Sequence, residues 1–146
     1  MMETAGDPMR PKTLSLLVAA GAVFALPGCL HSDDDAAADV VKTYLRAFAE
    51  GDGGKACSKL SEQTRRVTVP QVARGVGAKD CEGAVRALRE RLSAGQVDAL
   101  KQTETTRVKL KGKTAEVSFR AGSLRGTAKA REGSDGWKIS LLPRTP

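Results

Sequence analysis

Arg107-Val108-Lys109-Leu110-Lys111-Gly112-Lys113-Thr114-Ala115-Glu116-Val117-Ser118-Phe119-Arg120 alternates polar and apolar side chains on both sides of a Lys-Gly-Lys break. Successive side chains leave a strand on opposite faces, so this period of two predicts two half-buried strands joined as a hairpin at Lys111-Gly112-Lys113. The pattern continues downstream. Ala121-Gly122-Ser123 leads into Leu124 to Arg131, and Gly133-Ser134-Asp135-Gly136 into Trp137, Ile139 and Leu141. Four strands in an antiparallel meander are expected, with Val108, Leu110, Ala115, Val117, Phe119, Ala128, Trp137 and Ile139 on one apolar face.

Upstream of Leu100 the apolar period lengthens to that of helices. Val40, Val41, Tyr44, Leu45 and Phe48 form the buried stripe of a first helix that starts at Asp39 and stops at Gly51. Asp52 is placed to cap a short second helix through Leu60, weakened by Gly53 and Gly54. Val67-Thr68-Val69 reads as a short strand before Pro70. Asp80 caps a third helix that carries Cys81, Ala84, Val85, Leu88 and Leu92 on one face, and Asp98 caps a turn before the first strand. Helices followed by a one-sided sheet make an α+β fold.

Further toward the N-terminus, the uncharged run Leu14 to Leu26 follows Arg10 and Lys12, the arrangement of an export signal too short to span a bilayer. It closes on Leu26-Pro27-Gly28-Cys29, which looks like a lipobox, although Pro27 stands where a small or β-branched residue is usual. Residues 1–28 are therefore expected to be a lipoprotein signal peptide, with translation starting at Met9 because Glu3 and Asp7 do not suit a basic leader. A plain secretory signal or an uncleaved anchor is the alternative. Lipidation of Cys29 implies a chain held on the outer face of the cytoplasmic membrane, in the cell envelope. Residues 29–38, with Asp33, Asp34 and Asp35, read as an acidic tether, residues 39–142 as the single folded domain, and residues 143–146 as a tail. Of three cysteines, lipidation of one leaves Cys57 and Cys81, which an oxidising compartment would join as a disulfide. Metal ligation by Cys57, Cys81 and His31 fails on ligand count and spacing, so no metal is expected.

This pattern resembles the nuclear transport factor 2-like superfamily, and in particular its small exported lipoproteins. The likeness is carried by Val41-Lys42-Thr43-Tyr44-Leu45-Arg46-Ala47-Phe48-Ala49-Glu50-Gly51-Asp52, by Ala56-Cys57 and Cys81-Glu82, and by the closing Gly136-Trp137-Lys138-Ile139. It implies N-terminal helices packed in the concave face of a curved antiparallel sheet, a cone whose pocket is lined by Tyr44, Phe48, Val108, Val117, Phe119 and Trp137. Enzymes of the superfamily, isomerases and cyclases, imply an acid or base deep in that cone. Here the weak candidates are Tyr44 and Asp98. The expected inner face carries no ionisable group, and general acid–base catalysis needs one within hydrogen-bond reach of substrate. A non-catalytic binding or interaction domain is the leading expectation, without cofactor, holding a small apolar ligand or a protein partner.

Charge is the remaining signal. From Lys101 onward there are 11 Lys and Arg against 4 Asp and Glu, whereas the first hundred residues hold 13 of each. Arg107, Lys109, Arg120, Arg125, Lys129, Arg131 and Lys138 alternate with core positions and are expected on the outer face of the sheet. They make either a solvated face or an adhesion surface for anionic lipid or cell-wall polymer. Nucleic acid is disfavoured, because single-strand binders stack bases on aromatics and this chain has only five. Like charges across the sheet also favour a monomer over the sheet-to-sheet dimer that the resemblance implies.

Overall fold

The computed structural model describes residues 32–144. Five α-helices precede four strands: α1 (Asp33–Glu50), α2 (Gly53–Ser58), a one-turn π-helix (Thr64–Thr68), α3 (Val69–Val76), α4 (Cys81–Glu90), α5 (Ala94–Lys101), then β1 (Glu104–Lys111), β2 (Thr114–Ala121), β3 (Leu124–Gly133) and β4 (Gly136–Arg144). The strands pair antiparallel in the order β1-β2-β3-β4. The α+β class and the meander hold.

α1 touches all four strands. Ala37, Val41, Ala47 and Ala49 on its inner side are essentially inaccessible, as are Val117, Ala121, Ala128, Ala130 and Ile139 on the facing side of the sheet. Small residues dominate this contact, which lets helix and sheet approach closely. α1 ends where expected: Gly51 takes a left-handed φ of 77° and its N–H donates to Phe48 O and Ala47 O satisfies Asp52 N, the usual way a helix sheds its last carbonyls. Arg89 of α4 adds a 2.6 Å hydrogen bond from its Nε to Ala49 O, placing a cation at the negative end of the α1 dipole.

Several boundaries differ from the expectations. The segment read as an acidic tether is mostly helix: Ser32 caps α1 by accepting from Asp35 N at 3.3 Å, and Asp33, Asp34 and Asp35 form the first turn. Carboxylates there face the unpaired N–H groups and the positive end of the dipole, so the three aspartates start the helix. The expected strand at Val67-Thr68-Val69 is helical: the π-helix runs straight into α3 through Thr68 and Val69, and Pro70 is the second residue of α3. Asp98 does not cap a turn but lies inside α5, whose start is a capping box between Ser93 and Gln96. The expected tail at 143–146 is in part strand, since β4 runs to Arg144.

The edge of β4 is covered by the chain before the π-helix. Ile139 N donates to Lys59 O and Ser61 N to Ile139 O, both at 2.8 Å, a parallel bridge centred on Leu60 and Ile139. The buried Thr64 hydroxyl, against Ile139 O at 3.2 Å and Ser140 O at 3.1 Å, fixes the π-helix to the same edge. A bulge after Ile139 then changes which face β4 presents. Leu141 pairs beside Lys129 on the outer face, and Leu142 takes the core-facing place expected for Leu141.

Candidate functional site

Where α1, α4, α5 and the ends of β2, β3 and β4 converge, a pocket of about 260 Å³ is lined by Tyr44, Leu45, Phe48, Leu88, Leu92, Leu100, Phe119, Leu124, Leu142 and Pro143. Among the described residues, no carboxylate, imidazole, amine or guanidinium lines it. Tyr44 and Phe48 lie one turn apart on α1, with ring centroids 6.2 Å from each other. Burial pushes the Tyr44 phenol up to about 12, because the interior penalises phenolate. At neutral pH the group is therefore a proton-bearing donor.

Of the residues expected to line a cone pocket, Tyr44, Phe48 and Phe119 do so. Val117 and Trp137 are buried in the core, and Val108 packs against it. Leu110 also departs from the expected apolar face, being 41% exposed near the free end of the first hairpin. Leu88 and Leu92 were visible as one helix face; Leu124, Leu142 and Pro143 were not, because the bulge that turns Leu142 inward leaves no mark in the alternation.

The two catalytic candidates are not brought together. The Asp98 side chain is 71% exposed, lies 3.9 Å from Lys101 Nζ, and borders a separate depression with Gln102, Glu104 and Arg120. No group of three or more potential metal ligands is found among the described residues. Cys57 of α2 and Cys81 of α4 are disulfide-bonded, with Cα atoms 6.2 Å apart. Cys29 and His31 lie outside the described residues. Among those described, no helix is long and apolar enough to cross a membrane.

The outer face of the sheet is a grid of cations set by the register. Arg120 sits beside Arg125; Arg107 and Arg144 flank Ser118 and Thr127; Lys109 and Lys129 flank Glu116; Lys111, Thr114, Arg131 and Lys138 complete the last row. Rows two residues apart are about 6.7 Å from each other along a strand. Two acidic side chains relieve this face. Glu104 accepts a 2.8 Å hydrogen bond from Arg120, and Glu116 lies between two lysines. Lys138 is largely occupied, donating at 2.8 Å to Ser58 O and lying 3.5 Å from Asp135. Arg144 was missed in the expected tail, and Lys111 was read only as part of a turn. Comparison with family models, with curated proteins and with solved structures finds no match to the chain in any of the three.

Proposed function

We propose that the chain is an exported lipoprotein, anchored through Cys29 on the outer face of the cytoplasmic membrane, whose folded part is a nuclear transport factor 2-like domain acting as a monomeric, non-catalytic binding module for a small apolar ligand. The observation that carries this reading is the pocket around Tyr44, lined by nine apolar residues and one phenol. Apolar ligand sites are built this way, with one or two polar groups to set orientation. Each 100 Å² of ligand surface removed from water there is worth about 2.5 kcal/mol before association costs. The Tyr44 hydroxyl is the one lining group able to donate to a polar end of the ligand.

The anchor is supported by the lipobox-like Leu26-Pro27-Gly28-Cys29 and by the pairing of the other two cysteines. With Ser32 already capping α1, only Leu30 and His31 separate the cap from Cys29, a reach of roughly 10 Å. A lipid at Cys29 would hold the N-terminus of α1 close to the bilayer.

The test is a titration of the full-length chain with the neutral fluorophore N-phenyl-1-naphthylamine, compared with Leu92→Trp, which fills the pocket. Saturable binding by the parent chain and at least a tenfold loss in a folded Leu92→Trp support the reading; no saturation, or equal binding, overturns it. Intact mass of the native protein tests the anchor separately. A mature chain beginning at a diacylglyceryl-modified Cys29 is expected, and an unmodified leader would remove the membrane part of the proposal.

A further inference from the structure

We propose that the outer face of the sheet is a binding track for a linear phosphodiester polymer of the polyol- or sugar-phosphate kind, and that Arg120, Arg125 and Arg144 grip one of its phosphates. These three guanidinium groups surround a concavity of about 500 Å³ at one end of the face, and the hydroxyl-bearing residues Thr106, Ser118 and Thr127 share its lining. Guanidinium forks match the paired oxygens of a phosphate, and hydroxyl donors complete its shell. Arg120 is already oriented by its 2.8 Å bond to Glu104. Arg125 and Arg144 enter no ion pair among the described residues, so their donors are turned to solvent.

Why a polymer rather than a single anion follows from the grid. Cations recur in every row at about 6.7 Å intervals, so a chain laid along the strands would meet one or two positive groups at each step over roughly 20 Å. The same face argues against the two other polyanions. Among the described residues it carries no exposed aromatic side chain: Phe119, which also borders the concavity, is 4% exposed, and Tyr44, Phe48 and Trp137 belong to or pack on the core, which leaves nucleobases without a stacking platform. A bilayer is engaged most firmly when apolar side chains enter beside the charges. Here only Leu141, half-buried, projects among them, and the arginine end is recessed. The track shares no charged residue with the Tyr44 pocket and stands whether or not that pocket is occupied.

The experiment titrates the full-length chain, in neutral detergent, with three probes at fixed ionic strength: a glycerol-phosphate oligomer, polyglutamate of matched charge, and phosphatidylglycerol in mixed micelles. Arg125→Gln/Arg144→Gln is compared with Arg86→Gln/Arg91→Gln, which removes the same charge from exposed positions on or beside α4. Expected are tightest binding of the glycerol-phosphate oligomer, a loss of tenfold or more in the sheet double variant, and less than twofold in the helix one. Arg125→Lys/Arg144→Lys keeps charge but not the fork, and a several-fold loss is expected there, which also covers the case in which the glutamine variant fails to fold. Equal losses in both glutamine pairs, or polyglutamate binding as tightly as the phosphate oligomer, would reduce the face to a general positive charge and overturn the proposal. Phosphatidylglycerol micelles binding at least as tightly, with the same dependence on Arg125 and Arg144, would also overturn it and assign the face to lipid.

Discussion

Tyr44 is the one tyrosine of the chain, so its ionisation can be followed without interference from another phenol. Its native pKa is pushed up to about 12 by burial, against about 10 in an unfolded chain. Because the folded value is the higher one, the stabilisation is fully present below pH 10 and is lost as pH climbs toward 12. The loss amounts to roughly 2 to 3 kcal/mol. Phenolate absorbance of the native protein should therefore rise only near pH 12 or together with unfolding, and near pH 10 in denaturant. A midpoint near 10 with the fold intact would show that the phenol is not in the apolar pocket. A second residue-scale contrast lies in α2. A Cβ on Gly53 would come within 2.9 Å of Glu82 Cα and 3.2 Å of its carbonyl oxygen, whereas one on Gly54 would meet the flexible Glu82 carboxylate at 3.6 Å. Alanine is favoured over glycine in a helix by up to about 1 kcal/mol, but backbone against backbone cannot yield cheaply. Gly54→Ala should raise the denaturant midpoint, and Gly53→Ala should lower it by an amount equivalent to about 1–3 kcal/mol.

At the scale of elements, α2 depends on its surroundings. It is six residues long and includes two glycines, far below the length at which a helix holds itself. Its disulfide to α4 closes a loop of 24 residues separation, worth about 3.5 kcal/mol in the chain-entropy account. Cys57→Ala/Cys81→Ala should thus lose roughly that much stability, and amide exchange in α2 should accelerate more than exchange in β2 and β3. Uniform acceleration would mean that the bond supports the whole domain and not this helix. The elements also divide by how far the residues alone revealed them. The meander was legible because the period of two leaves one answer for which side faces the core. α5 was not, since Gly95 and Asp98 dilute its apolar stripe, although Ser93 and Gln96 carried a capping-box signal. The start of α1 was hidden in plain composition: Asp33 to Asp35 look like a solvated linker until Ser32 is recognised as the cap. The bulge that places Leu142 in the pocket and Leu141 outside has no local sequence mark, because it arises from how β4 must bend to follow β3 and the Leu60 segment.

For the molecule as a whole, charge and fold coincide. The chain is neutral over its first hundred residues and carries its entire net charge of +7 from Lys101 onward, which in three dimensions puts the excess on the sheet. Neighbouring strands are about 4.8 Å apart and neighbouring rows about 6.7 Å, both shorter than the screening length of about 10 Å at 0.1 M salt. At low ionic strength the cations on the outer face therefore repel one another, and the pairs with Glu104 and Glu116 offset only part of this. Screening removes repulsion that exists in the folded sheet and is weaker in the unfolded chain, where these residues are spread along an extended backbone. The melting temperature should rise by a few degrees between about 10 mM and 300 mM sodium chloride. Because like charges stand directly opposite each other at Arg120 and Arg125, Arg125→Glu should raise stability at low salt and flatten the dependence. A melting temperature that is flat or falls with salt would show that the folded sheet carries no electrostatic strain for an anionic partner to relieve.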